Sequence, residues 1–446
     1  MIGMKFKHKI GDTLLFLGTG AAFILSIVLW IFIMTNDQYF SHIKQDNNVT
    51  QQSRMHKTQS VNDLYIPTSS YGYQDGQLCR LYDAKNNLPL EFTKELKGAK
   101  YQQVKKVSSS QLKYEQLLKD PDYLQLTFPD EVNLNLLTKR NLQKTGQQFR
   151  RVFVSSSNKY LYLGNDETYT VLKLELANVN FKRLRGYAKQ ARSKIPVKFE
   201  HLKGCYEVFY LNNEDWRVYS YLTNSQTDSY FVSRLLGTTN VTTHTGKGPW
   251  TIYSLNYYTK LRVPKTKSNR HDFLYTNYEK RKNMTVNEQL LDSVDYVHKT
   301  GLNEQDLRFF DTNGAITNYT NYVEGIPVFL NKHDLQINTN YSQDAVEVTF
   351  NNLELQIPIP FDGQTRNLQS TDSVVQNLVN SGLKRTEIQR VVVAFQVEKD
   401  NSHDNLVNLI PTYYVKAYDQ WKSLSEWKKQ DFSVLDRVGK KQGGTQ

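Results

Sequence analysis

The chain has 446 residues, a formal net charge of +12 and a hydrophobic fraction of 39%. That fraction excludes a multi-spanning membrane protein, and the length leaves room for roughly two or three domains, each able to bury its own core. Two cysteines, Cys79 and Cys205, exclude a disulfide framework and a CxxC zinc or redox site. Two unpaired thiols is the plain expectation, with a bridge between them the alternative.

Leu14–Met34 is a run of 21 residues without a charge. As a helix it reaches about 30 Å, the thickness of a hydrocarbon core. Lys5, Lys7 and Lys9 precede it, whereas Asn36, Asp37 and Gln38 follow. The positive-inside bias therefore predicts a cytoplasmic start at 1–13, a single membrane helix at 14–34 and everything later outside the cytoplasm. A cleaved signal peptide fits less well, because the run is long and ends in bulky Trp30, Ile31, Phe32, Ile33 and Met34. Gly18, Ala22 and Ser26 recur every fourth residue and share one helix face, a pattern that lets two membrane helices approach closely.

Residues 35–61 are polar and aperiodic and read as a stalk. Beyond it, the pattern predicts strands at 77–82, 124–128, 151–154 and 159–163, and a helix at 111–118. A basic helix is expected over Asn180–Arg192, followed by aromatic, alternating strand candidates at 206–211, 217–222, 229–235 and 250–263.

Thr285 and Glu288 form a capping box ahead of an apolar face of Leu290, Leu291, Val294 and Val297. Gly301 ends that helix and a strand follows at 307–310. The same order recurs with Asp372 as cap, an apolar face of Val374, Val375, Leu378 and Val379, then Gly382 and a β-branched strand at 388–397. Between the two helices, strands are expected at 322–329, 345–350 and 353–359. A last one at 407–418 carries Pro411, which favours an edge or a bulge.

The echo predicts tandem α+β domains. The expected organisation is 62–178, 179–312 and 313–425, each mixed or antiparallel sheet plus helix, the last two similar, with a tail at 426–446.

No metal, cofactor or catalytic signature stands out. Ser110-x-x-Lys113 and Ser41-x-x-Lys44 match a serine–lysine pattern but lack its companion motifs. His271-Asp272 and His333-Asp334 lack further ligands at recognisable spacing. The basic excess lies in 173–203 and 260–282. An extracytoplasmic location removes nucleic acid as its partner and leaves anionic wall polymers or lipid headgroups, or simply a solvated face. A binding or regulatory protein is therefore expected rather than an enzyme.

Together, an N-terminal anchor, a large outside part and the segments Tyr322-Val323-Glu324-Gly325-Ile326-Pro327-Val328-Phe329, Leu409-Ile410-Pro411-Thr412-Tyr413-Tyr414 and Tyr123–Phe128 resemble the YycH family. The resemblance implies a membrane-anchored regulator of the WalK/WalR two-component system of Gram-positive bacteria. Its implied partners are the sensor kinase WalK and a YycI-type accessory protein, and its implied readout is cell-wall homeostasis. It implies no cofactor and no catalytic residue, and it implicates the anchor helix in the kinase contact, on the face of Gly18, Ala22 and Ser26.

Overall fold

The computed structural model describes residues 18, 19, 23, 26 and 27 and then, with short interruptions, residues 61–432. They fall into two compact units, Met1–Lys57 and Thr58–Gln446. In the first unit, the five described residues, Gly18 and Ser26 among them, are helical and exposed. The rest of the expected span, Ala22 included, lies outside the described residues, as do the start at 1–13, nearly all of the stalk and the tail beyond 432. Among the described residues no helix is long and apolar enough to cross a membrane.

The second unit opens with α1 (Val61–Leu64) and a nine-stranded sheet. Its members are β1 (Ser69–Gln74), β2 (Gln77–Tyr82), β3 (Lys100–Ser108), β4 (Leu124–Asn133), β5 (Gln148–Val154), β6 (Tyr160–Gly164), β7 (Val171–Ala177), β8 (Ser193–Leu202) and β9 (Cys205–Tyr210). They lie in the order β3-β7-β6-β5-β4-β1-β2-β8-β9.

Every pairing in this sheet is antiparallel, and β1–β2, β4–β5, β5–β6, β6–β7 and β8–β9 join strands consecutive in the chain, whereas β3–β7, β1–β4 and β2–β8 bring together distant segments. Helices α2 (Leu88–Lys97), α3 (Gln111–Leu118), α4 (Leu134–Thr138) and α5 (Lys182–Lys189) accompany it. Asn87 caps α2 through the Leu90 N–H at 3.3 Å, and Pro89 sits in the first turn, where its missing N–H costs nothing. Phe92 of α2 stacks on Phe181 at the start of α5, with centroids 6.1 Å apart.

Downstream, β10 (Glu214–Arg217) and β22 (Thr365–Leu368) form a ribbon. The remaining strands make a second large sheet: β11 (Tyr219–Ser225), β12 (Thr242–His244), β13 (Trp250–Ser254), β14 (Thr259–Pro264), β15 (Asp272–Tyr278), β16 (Leu307–Asn313), β17 (Ile316–Val323), β18 (Ile326–Phe329), β19 (Ile337–Tyr341), β20 (Ala345–Asn351), β21 (Leu353–Pro358), β23 (Ile388–Lys399), β24 (Leu406–Ala417) and β25 (Gln420–Ser423). Its helices are α6 (Asp228–Leu236), α7 (Val286–Thr300), α8 (Thr371–Asn380) and α9 (Leu424–Trp427). Strands dominate both halves, so the class is the expected sheet-rich α+β.

Local signals explain most of these elements. The Thr285–Glu288 capping box forms as expected, and Gly301 closes α7 at φ +77°. Pro411 lies in β24 opposite Phe395. On the other side of β24, β11 stops at Leu409 and β25 starts at Tyr414, so the proline occupies a locally open edge.

Four expectations change. Residues 250–263 are not one strand but the hairpin of β13 and β14. Residues 229–235 are not a strand but the heart of α6. Thr227 caps it through the Tyr230 N–H, Gly237 ends it at φ +74°, and Phe231, Val232, Leu235 and Leu236 bury one helical face. The cap of α8 is Ser370 rather than Asp372; Ser370 accepts from the Ser373 N–H, and Asp372 in the first turn pairs with Lys198 at 3.0 Å. Residues 322–329 are not one strand but β17 and β18, joined by Glu324 and Gly325.

Both turn residues have positive φ, +52° and +73°, as a two-residue hairpin turn requires. This turn presses on the nine-stranded sheet: Arg80 donates to the Glu324 carbonyl at 3.1 Å, and a Cβ at Gly325 would stand 2.7 Å from the Thr68 carbonyl oxygen. Gly325→Ala should therefore lose about 2–4 kcal/mol through combined backbone strain and overpacking. Gly314→Ala, at φ +60° with open space around it, should lose only about 1 kcal/mol. Urea unfolding of the full chain in detergent checks this, and equal losses would refute the close contact.

Candidate functional site

Two adjacent arginines interrupt the apolar strand β5, in the run Phe149-Arg150-Arg151-Val152-Phe153-Val154. Alternation alone would send them to opposite faces. The neighbouring strand β4 is irregular here: its register passes from Thr127 opposite Arg151 to Val132 opposite Phe149. Arg150 has no opposite number in β4, and its Nε donates instead to the Phe128 carbonyl at 3.4 Å. Both guanidiniums nonetheless reach one carboxylate.

That carboxylate is Asp166, just past β6 and 1% exposed. Arg151 Nε donates to Asp166 Oδ1 at 2.8 Å and Arg150 Nη1 to Oδ2 at 3.4 Å. Tyr114 of α3 donates to Oδ1 as well, and the Tyr206 N–H donates to Oδ2 at 3.2 Å. Burial alone would raise the Asp166 pKa; Arg151 and Arg150 outweigh it and hold the carboxyl below its ordinary value.

Glu207 of β9 is the second hub. Arg150 Nη2 donates to its Oε1 at 2.8 Å, and Arg390 of β23 donates to the same atom at 2.6 Å. Burial again pushes the Glu207 pKa up, and the two guanidiniums overcome it and bring the carboxyl below its usual range. Arg390 belongs to the second large sheet, so this carboxylate joins the two sheets through one oxygen.

Arg390 Nη2 also donates to the Pro129 carbonyl in the β4 bulge. Nearby, the Thr312 N–H donates to Asp130 Oδ2 at 2.9 Å, and Cys205 Sγ donates to the Gln389 carbonyl at 3.3 Å. The cluster is thus a docking joint between the sheets.

Beside it lies a cavity of about 70 Å³, lined among others by Arg80, Thr127, Arg150, Arg151, Glu207 and Arg390. Three buried donors on its wall have no hydrogen-bond partner among the described residues: Arg151 Nη1, Arg390 Nη1 and Thr127 Oγ1.

Residues singled out from sequence lie elsewhere. Ser110 and Lys113 are exposed at the start of α3, and Ser41, His271 and His333 lie outside the described residues. Among the described residues no three His, Cys, Asp or Glu side chains stand ready for a metal. Cys79 and Cys205 are both buried free thiols. Burial, then Glu207, pushes the Cys205 thiol up to about 12, far from a reactive thiolate.

The two basic segments serve different sheets, one around α5 and β8, the other around β14 and β15. The converging arginines come from outside both. Their signal was in the sequence, as charges inside apolar strand runs: Arg150-Arg151 in β5, and Arg390 ahead of Val391-Val392-Val393.

Asp166→Asn removes the carboxylate that two buried guanidiniums share and should cost about 3–5 kcal/mol, read by urea unfolding. Because the folded pKa values of Asp166 and Glu207 are depressed, their contribution is complete above the ordinary values of 3.8 and 4.5. It is lost as pH falls through the lower folded values, so Asp166→Asn should also flatten the acid limb of the stability curve. Glu131 behaves oppositely: burial first, then Asp130, raises it to about 7 from 4.5, so its ionisation weakens the fold as pH climbs between those values. Glu131→Gln should gain about 1–3 kcal/mol above pH 7 and nothing near pH 4. A gain equal at both pH values would contradict the buried acid.

Comparison with known proteins places these observations. No curated protein matches the sequence. Among solved structures, YycH from Bacillus subtilis superposes with a TM-score of 0.65 at 13% identity, covering 82% of this chain and 98% of that one. At that identity the likeness is one of fold. The family described as YycH protein, C-terminal domain, matches residues 209–431. That span is half of the chain, and the protein belongs to the YycH family.

Proposed function

We propose that this protein is a non-enzymatic, membrane-anchored accessory regulator of a WalK-type sensor histidine kinase, acting in cell-wall homeostasis beside a YycI-type partner. The observation that carries the reading is membership of the YycH family across 209–431. The uncharged run at 14–34, with lysines before it, supports a single-pass anchor with its N-terminus in the cytoplasm and residues beyond the span outside.

In this reading the kinase contact has two parts, the helix face of Gly18, Ala22 and Ser26 and surfaces of the extracytoplasmic unit. A helix that packs better against one arrangement of the kinase helices shifts the kinase toward it. A coupling of about 1–3 kcal/mol gives a several-fold to hundred-fold change in activity.

The test is co-purification of full-length protein with the kinase and its YycI-type partner from membranes, comparing wild type with Gly18→Leu/Ala22→Leu. Wild type should retain the kinase and the double variant should lose it by tenfold or more. Retention by both moves the contact to the outside unit. Failure of the wild type to retain the kinase refutes the regulator reading.

A further inference from the structure

We propose that the cavity between β4, β5, β9 and β23 is a binding site for a single phosphate group. Its wall carries four guanidiniums, Arg80, Arg150, Arg151 and Arg390, against one carboxylate, Glu207. Asp166, Asp130 and Glu131 lie outside the lining, so the groups on the wall itself are net positive. The four arginines are all less than a tenth exposed, which keeps water from screening them.

The donors point to an acceptor-only ligand. Arg151 is fixed at Nε by Asp166 and at Nη2 by the Tyr206 carbonyl. Arg390 is fixed at Nε by Glu207 and at Nη2 by the Pro129 carbonyl. Each guanidinium keeps its buried Nη1 amino group unpaired, and Thr127 Oγ1 adds a third unpaired group. Leaving a buried donor without an acceptor is costly.

Arg80 adds charge from the other side. Its one side-chain hydrogen bond is to the Glu324 carbonyl, with no ion pair among the described residues, and it lies 5.8 Å from the rings of Tyr82 and Trp216. A tetrahedral oxyanion meets rigid guanidiniums and a hydroxyl at once.

Size sets the ligand class. A water occupies about 10–15 Å³ on this measure, so 70 Å³ holds about five waters. One phosphate group fits that space whereas a whole sugar does not, and its oxygens answer more of the unpaired donors than the two of a carboxylate. The phosphate is either free or the end of a phosphomonoester whose remainder stays outside.

Because the donors come from β4 and β5 on one sheet and β23 on the other, a bound phosphate would tighten the joint between them. The inference stands independently of the kinase reading.

The test uses full-length protein in detergent at constant ionic strength, titrated with inorganic phosphate, with glycerol phosphate and with chloride as the control. Phosphate should raise the Tm by about 3 °C near saturation, and chloride should not. Thr127→Val removes one unpaired donor and keeps the shape, so it should fold as well as wild type and bind phosphate at least tenfold more weakly. Arg390→Met should abolish the shift.

Equal or tighter binding of glycerol phosphate assigns the site to an esterified phosphate. Preference for the inorganic ion assigns it to free phosphate. No phosphate-dependent shift, or the same shift in chloride or in Thr127→Val, overturns the proposal.

Discussion

The structure depends on one oxygen, Oε1 of Glu207, which takes Arg150 from the nine-stranded sheet and Arg390 from the second sheet. Buried ion pairs are poor sources of net stability, because desolvating the charges offsets their attraction. What this one supplies is position. Arg150 and Arg390 would each lose a charge partner in a dry site if the sheets shifted, so Glu207 favours the one docking arrangement that answers both.

The β4 bulge belongs to the same joint. Arg150 and Arg151 are neighbours in a strand, yet both must reach Asp166. A regular ladder would carry one of them to the far face. The irregularity between Thr127 and Val132 leaves the Phe128 carbonyl to Arg150 and the Pro129 carbonyl to Arg390. The Glu324-Gly325 turn reaches the neighbouring edge, where Arg80 meets its carbonyl and Thr68 leaves no room for a Cβ. Sheet irregularity, turn chemistry and buried charge all serve one interface.

Most elements were legible because they are decided locally. The α7 capping box, the helix at Gln111–Leu118 and the strand at Gln77–Tyr82 follow from spacing and caps within a few residues. One difference, at 229–235, arises because aromatic residues suit strands by propensity. At Tyr230–Leu235 only the cap at Thr227 and the glycine at 237 reveal that the period is helical. The joint itself was not legible. The pairing of Arg150 with Glu207 spans 57 positions and that of Arg390 with Glu207 spans 183, and no local rule connects them. The sequence shows only that charges sit where strands are apolar, which marks them as partnered without naming the partner.

Strongly perturbed titratable groups often mark catalytic sites, and here they gather at a joint. Their partners show why the perturbation serves architecture. Each carboxylate with a lowered pKa in the cluster is held by arginines, which neither accept nor release protons near neutral pH. Tyr114 spends its hydroxyl on Asp166, and the one thiol in reach, Cys205, is held protonated beside Glu207. Such pairs hold their charges near neutral pH, and the groups left unpaired are donors, which an anion satisfies. A joint that is electrostatically complete except for an acceptor can couple what it binds to how firmly two sheets hold together, which is the property an accessory protein needs to pass on a chemical state without reacting with it.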